Sequence, residues 1–304
     1  ADDQRQFQGI PSIAITPGGR LWATWYSGGA GEGPDNYVLL ATSADRGRTW
    51  SKPVQVIDPP SPVRGYDAVV WCDPRGQLWW FHAQTYGSWD GRAGVWARVS
   101  TNADDPLPTW SEPRRIADGI MMNKPTVTRG GRWLFPIARW ALKPSASMPG
   151  GKRPPIPNPH LAWDPDATGS HLYQSDDAGA TITRLGTAKI PDVRYDEHHA
   201  MERRDGALWM LARTNVGISE STSADGGLTW SPGQPSAIPN APSRFCIRRL
   251  ASGNLLLVKH NPPMDQPWLV AGRVQPSWRQ RSHLTAYLSS DDGLTWSGGL
   301  LLDD

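Results

Sequence analysis

The stretch Ser43-Ala44-Asp45-Arg46-Gly47-Arg48-Thr49-Trp50 decides the fold, because the chain repeats it. Ser175 to Ile182 follows the same Ser-x-Asp-x-Gly-x-Thr-Trp pattern with Ile182 in place of Trp, and Ser223 to Trp230 and Ser289 to Trp296 follow it in full. A fifth copy, from Ser100 to Thr109-Trp110, is stretched by an insertion. The copies start at 43, 100, 175, 223 and 289, so they lie 57, 75, 48 and 66 residues apart. That is the length of one four-stranded propeller blade each. The residue types have a physical reason: a short carboxylate bonds N–H groups of its own turn, Gly supplies a positive φ, and Trp fills the space between neighbouring strands. The aspartates are therefore expected to be fasteners, not catalysts.

A second marker runs at the same spacing, a Gly turn leading into an apolar strand. It reads Gly19-Arg20-Leu21-Trp22, Gly76-Gln77-Leu78-Trp79, Gly131-Arg132-Trp133-Leu134, Gly206-Ala207-Leu208-Trp209 and Gly253-Asn254-Leu255-Leu256. Seventeen Trp, 31 Gly and 29 Pro suit many short strands joined by turns and oppose helices. The expected fold is all-β: one propeller domain over residues 1–304, with five countable blades at about 9–58, 64–117, 122–190, 194–239 and 243–304. Each repeat runs inner strand, Gly turn, second strand, loop, third strand, Ser-x-Asp box, fourth strand. Strand direction alternates, so Gly turn and box share one end of a blade, and the opposite end is where a ligand would meet side chains from every blade.

A formal charge of +2 gives no basic field for nucleic acid or anionic membrane. The longest apolar runs, such as Leu255-Leu256-Leu257-Val258, are strand-sized and far short of a membrane helix. Cys72 and Cys246 both sit in apolar runs and are expected to be buried free thiols, and two cysteines cannot build a cysteine metal site. No metal or other cofactor is called for. No secretory apolar region follows Ala1; if a signal peptide was removed, a secreted or periplasmic location is favoured.

At the ligand end the inner strands begin near Gly9-Ile10-Pro11, Tyr66-Asp67, Asn123-Lys124-Pro125, Asp196-Glu197-His198 and Arg244-Phe245. The second strands end at Trp25-Tyr26, His82-Ala83-Gln84, Arg139-Trp140, Arg213-Thr214 and Lys259-His260. Loops add Glu32, Asp35, Trp89 and Asp90, and Arg281 precedes the third strand of the last blade. Carboxylates for acid and base work, arginines for anionic or hydroxyl groups and indoles for stacking suit a glycan. An arginine in a solvated loop also serves as half of a surface ion pair, so joint placement carries this reading. Most tryptophans are core packing; Trp89, Trp140, Trp163, Trp268 and Trp278 lie in loop-like stretches and are the stacking candidates. His198 and His199 are neighbours on a strand and point to opposite faces, which argues against a shared metal.

These features resemble the sialidase (neuraminidase) superfamily over nearly the whole chain. The resemblance implies a six-bladed propeller, whose last blade would lie beyond Asp304 and carry the family's nucleophilic tyrosine. Ile10-Pro11-Ser12 resembles the family's Arg-Ile-Pro opening, with Gly9 where the first arginine of a carboxylate-binding triad would stand. Leu211-Ala212-Arg213 and Arg281-Ser282-His283-Leu284-Thr285 are similar to the segments carrying the other two arginines. Glu197 resembles the glutamate that polarises the nucleophile, and Glu32-Gly33-Pro34-Asp35-Asn36 the segment of the acid/base aspartate, with Glu in its place.

The reading that follows is an exo-acting glycoside hydrolase on an acidic or polyhydroxylated glycan terminus. Glu32, Glu197, Arg213 and Arg281 are its catalytic set, and Asp67, Lys124, Arg139, His198, Arg244, Asp35, Trp89 and Trp140 its substrate-binding set. Two alternatives stand beside it: a polysaccharide lyase acting on uronic acids, with a histidine base from Asp196-Glu197-His198-His199, and a glycan-binding propeller without catalysis.

Overall fold

The computed structural model describes residues 5–60, 63–86, 93–140, 168–193, 197–262, 269–270, 273–274 and 281–304. All regular elements among them are strands. The chain divides into two compact units, unit 1 with residues 1–125 and 137–168 and unit 2 with residues 126–136 and 169–304.

Unit 1 holds two four-stranded antiparallel sheets. The first is β1 (Gln8–Ile15), β2 (Leu21–Ser27), β3 (Tyr37–Ser43) and β4 (Gln55–Ile57), in chain order. The second is β5 (Val63–Cys72), β6 (Leu78–Tyr86), β7 (Gly94–Ser100) and β8 (Arg114–Asp118), also in chain order. Period-two alternation decides what faces inward. Along β2, Trp22, Thr24 and Tyr26 are buried while Leu21, Ala23 and Trp25 are only half-buried. Trp22, Tyr26, Val38 and Leu40 then pack with Tyr66, Val70, Leu78 and Trp80 in one core between the two sheets. Trp22 Nε1 donates to the Ala103 carbonyl (2.8 Å), and Asp104 accepts from Gly18 N (3.0 Å) and from Thr16 Oγ1, so the second sheet's box loop caps the first sheet's Gly turn.

The third sheet has the order β12 (Thr183–Ala188), β11 (Gly169–Ser175), β10 (Trp133–Arg139), β9 (Thr126–Val127). Unit 2 adds β13 (His199–Glu202), β14 (Leu208–Thr214), β15 (Gly217–Ser223) and β16 (Gln234–Pro235). The fifth sheet joins β17 (Cys246–Arg249) and β18 (Leu255–His260) to β21 (Leu284–Ser289) and β22 (Ser297–Asp303), and β19 (Leu269–Val270) pairs with β20 (Arg273–Val274). β14 is buried along its whole length, as a strand covered on both faces must be. Five four-stranded meanders are thus present among the described residues; a sixth, implied by the resemblance, is not among them.

The boxes fasten as their residue types require. Ser43 Oγ donates to Asp45 Oδ1 (2.8 Å) and accepts from Gly47 N (2.9 Å), while Asp45 accepts from Thr49 N (2.9 Å) and Thr49 Oγ1 (2.6 Å). Asp177, Asp225 and Asp291 hold their turns the same way. In the stretched copy Asn102 takes the carboxylate's place, its single Oδ1 accepting from both Thr109 N (3.0 Å) and Thr109 Oγ1 (3.1 Å).

Two expectations are corrected. Cys246 is exposed and Cys72 only half-buried. Phe245 just before β17 and Ile247 on it are buried, so alternation turns Cys246 outward despite its apolar neighbours. Trp50 is also exposed, its ring edge beside its own turn glycine, Gly47.

Candidate functional site

Within each sheet the pairing places the candidate residues at one end. In the first sheet Leu21 opposes both Ile15 and Ser43 beside the Gly turn and the box, whereas Ser27 opposes Gln8 and Tyr37 at the other end. The loop from Gly28 to Asn36 leaves from that second end. In unit 2, Thr214 opposes Gly217 away from the box at Ser223, and the same polarity puts Glu197, Arg213 and Lys259 at the ends opposite the boxes.

The unit 1 constellation centres on Tyr26. Its ring is 1% exposed, tilted against Phe7 (5.5 Å between centroids) and edge-on to Tyr66 (6.4 Å). Tyr26 Oη donates to Glu32 Oε1 at 2.7 Å. Burial, the nearby Asp67 and Glu32 carboxylates and this hydrogen bond push the Tyr26 pKa far above its ordinary value, so the phenol stays a donor. Glu32 itself is half-buried on a loop locked by Asn36. The buried Asn36 side chain donates from Nδ2 to the carbonyls of Gly28 (3.0 Å) and Gly31 (3.0 Å), and Oδ1 accepts from Gly33 N (2.7 Å). Gly28 has φ 111°, and a Cβ there would come within 2.1 Å of the Asp35 carbonyl, so this turn requires glycine. Asp35 points to solvent.

β5 contributes Asp67 from a bulge between Tyr66 and Val69, with φ 46°; the register shift between Gly9 and Ser12 on β1 brackets Ile10 at φ 48°. Left-handed φ at Asp67 and Ile10 is strained, and bulges of this kind re-aim side chains. Asp67 is consequently buried. Three residues earlier Arg64 is fully buried, with its Cζ 3.9 Å from the Tyr66 ring centroid.

The other unit 1 candidates play quieter parts. Lys124 Nζ donates to the Ile13 carbonyl, and Trp140, expected to be a stacking residue in a loop, is half-buried against the unit 1 core. Arg139 is half-buried at the end of β10. Trp89, Asp90, Trp163, Asp196, Trp268 and Trp278 lie outside the described residues.

In unit 2 the sequence-predicted Glu197 and Arg213 meet. Arg213 Nη1 donates to both carboxylate oxygens of Glu197 at 3.0 Å, and both side chains are nearly closed to solvent. His198 Nε2 lies 2.7 Å from the His171 carbonyl and His199 Nε2 3.1 Å from the Phe245 carbonyl, so both rings are buried hydrogen-bond partners. Burial holds the His199 pKa down to about 3. Arg244 is half-buried and Arg281 exposed. Buried Lys259 donates from Nζ to the His260 carbonyl (3.2 Å) and Asn261 Oδ1 (3.3 Å), and desolvation lowers its pKa to about 8. Among the described residues no group of three or more His, Cys, Asp or Glu is placed to hold a metal ion, and no helix is long and apolar enough to cross a membrane.

Sequence reasoning did not single out Tyr26, Asn36 or Arg64. Asn36 was visible as the end of the Glu32 segment; nothing in Val63-Arg64-Gly65 signals a buried arginine.

The family of the BNR repeat-like domain matches residues 19–304. A comparison with curated proteins finds no match. Among solved structures the chain is similar to the Hadza microbial sialidase Hz136, with TM-score 0.69 and 20% identity, covering 100% of this chain and 60% of that one. A protein of unknown function from Dyadobacter fermentans gives TM-score 0.68 and 15% identity, covering 99% of this chain and 84% of that one. A NanB sialidase from Streptococcus pneumoniae gives 0.64 and 13%, covering 98% of this chain and 62% of that one. The chain therefore spans only 60% and 62% of the two sialidases' lengths. At these identities the likeness shows the fold, a sialidase-like β-propeller.

Proposed function

The chain belongs to the BNR repeat-like domain family, and from that premise we propose that it is an exo-acting glycoside hydrolase working on an acidic or polyhydroxylated glycan terminus. The observation that carries the reading is the 2.7 Å hydrogen bond from Tyr26 Oη to Glu32 Oε1. It fixes one oxygen of a half-buried carboxyl as an acceptor, which leaves the other to carry the working proton. Glu32 then acts as general acid, protonating the glycosidic oxygen as the bond to the sugar's anomeric carbon breaks, and as general base when water attacks. Unit 2 carries its own part of the reading: Glu197 orients Arg213, whose guanidinium, with that of Arg281, suits the acidic or hydroxyl groups of a glycan. The sialidase names among the structural neighbours support the substrate class.

The test is turnover of a panel of acidic and neutral fluorogenic glycosides by the full chain and by Glu32→Gln. A loss of about 10²–10⁴-fold in kcat is expected for a general acid–base residue. Turnover at the wild-type rate by the glutamine variant would falsify the assignment. A second reading, binding without turnover, is favoured by one observation: the Phe7 and Tyr26 rings occupy the space beside Gly9 where an arginine side chain would start. Saturable glycan binding with no product from any glycoside of the panel would select it.

A further inference from the structure

Arg64 is the least satisfied charged group among the described residues. It is 0% exposed, and its Nε, Nη1 and Nη2 have no hydrogen-bond partner. A guanidinium carries five donors and cannot shed its proton, so burying it unpaired is costly unless negative charge arrives from elsewhere. The Tyr66 ring supports the cation from one face but accepts none of its N–H bonds. The carboxylates of the neighbourhood do not do so either: Glu32 accepts from Tyr26, and Asp67 makes no bond to Arg64.

Position adds meaning to this. Gly9 on β1 and Tyr66 on β5 each stand immediately before a bulge in their strand, so Arg64 lies two residues from the β5 counterpart of Gly9. A Cβ at Gly9 would come within 2.8 Å of Phe7 Cζ and 3.1 Å of Tyr26 Cζ, so β1 has no room for a side chain there. From Tyr26 the ring contact leads to Tyr66 and on to the guanidinium.

We propose that Arg64 is an oxyanion-binding residue of the candidate glycan site, taking a carboxylate or sulfate borne on the sugar. The proposal rests on the glycan reading above. The planar fork of Arg suits two-pronged binding of such an oxyanion. Because the guanidinium is closed to solvent, the anion reaches it only as surrounding side chains give way.

The experiment is thermal unfolding of the full chain with glucuronate, galactose 6-sulfate and uncharged galactose, for wild type, Arg64→Met and Arg64→Lys. The wild type is expected to gain Tm with an anionic sugar and not with galactose, and the sugar that acts tells carboxylate from sulfate. Arg64→Met is expected to be more stable than wild type without ligand, since it removes an unpaired buried charge, and to bind the anionic sugar at least tenfold more weakly. Undiminished affinity in Arg64→Met, or a lower ligand-free Tm with affinity intact, overturns the proposal. If Arg64→Met fails to fold, Arg64→Lys decides: it keeps the charge without the fork, and undiminished affinity in it overturns the proposal too. Binding of galactose alone overturns the oxyanion role and leaves the glycan reading standing; binding of no sugar overturns both.

Discussion

Asn36→Ala tests whether one buried amide holds the acid/base loop in place. Three of its hydrogen bonds have good geometry, two from Nδ2 to the Gly28 and Gly31 carbonyls and one to Oδ1 from Gly33 N. At about 1 kcal/mol net for each, their loss comes to ~3 kcal/mol. The alanine leaves Gly28 O, Gly31 O and Gly33 N to find water, so the loop is expected to open before the sheet does. Urea unfolding of the full chain measures the global cost, and amide exchange at Gly33 measures the local one. The expected pattern is a global loss of up to ~3 kcal/mol with exchange at Gly33 faster by more than tenfold, and a matching fall in any Glu32-dependent turnover. The conservative Asn36→Asp keeps the acceptor but places a carboxylate against carbonyl oxygens, which raises its folded pKa. Its stability is therefore fullest below the unfolded carboxylate value near 4 and declines as pH rises through the raised one. A global loss below ~0.5 kcal/mol in Asn36→Ala with unchanged Gly33 exchange would show that the loop is held by something else.

Acid sensitivity follows from buried histidines. Burial, aided at His82 by Arg98, holds His82 and His199 at about 3, while the unfolded chain protonates them near 6.5. The unfolded state thus takes up more protons between those values, and stability, full above pH 6.5, falls as pH drops, by ~4 kcal/mol for the pair at pH 5. The box carboxylates Asp45, Asp177 and Asp291, held at about 2 chiefly by hydrogen bonds from their box threonines, extend the loss below pH 4 toward 2. Urea titrations at about pH 7.5, 6 and 5 that give equal stabilities would contradict this. Gly9→Arg, the substitution that would restore the family-like arginine, is expected to cost ~1–3 kcal/mol by overpacking Phe7 and Tyr26 and to leave affinity for anionic sugars no tighter; a stable variant with tighter binding contradicts it.

The repeat was legible because its bonds are local. Ser43, Asp45, Gly47 and Thr49 satisfy one another within seven residues, so the sequence carries the whole device, and even Asn102 could replace the aspartate without hiding the pattern. The Glu32 segment was legible for the same reason, its loop being tied by Asn36 four residues on. What sequence could not carry is the result of contacts between strands far apart in the chain. Charged side chains are rarely fully buried, so Arg64 reads as a surface residue until Tyr66 and the neighbouring sheet are seen to enclose it. Trp140 reads as a loop indole until the core it leans on is assembled, and Cys246 as buried until the alternation of β17 is known.

The two bulged inner strands show how one backbone device serves different ends. β1 and β5 are tied together where Ser12 Oγ accepts from Val70 N (3.2 Å), just past both bulges, so neither strand can relax its kink alone. Each holds a non-glycine residue at a left-handed φ, Ile10 at 48° and Asp67 at 46°. Strain of this kind costs of the order of 1–3 kcal/mol and persists only where the surroundings impose it. On β1 the kink presents no functional side chain: Gly9 is covered by rings and Ile10 is apolar. On β5 the same kink turns a carboxylate inward beside Tyr26, three residues from a buried guanidinium. The same deformation thus carries an apolar residue on the first inner strand and a buried carboxylate on the second.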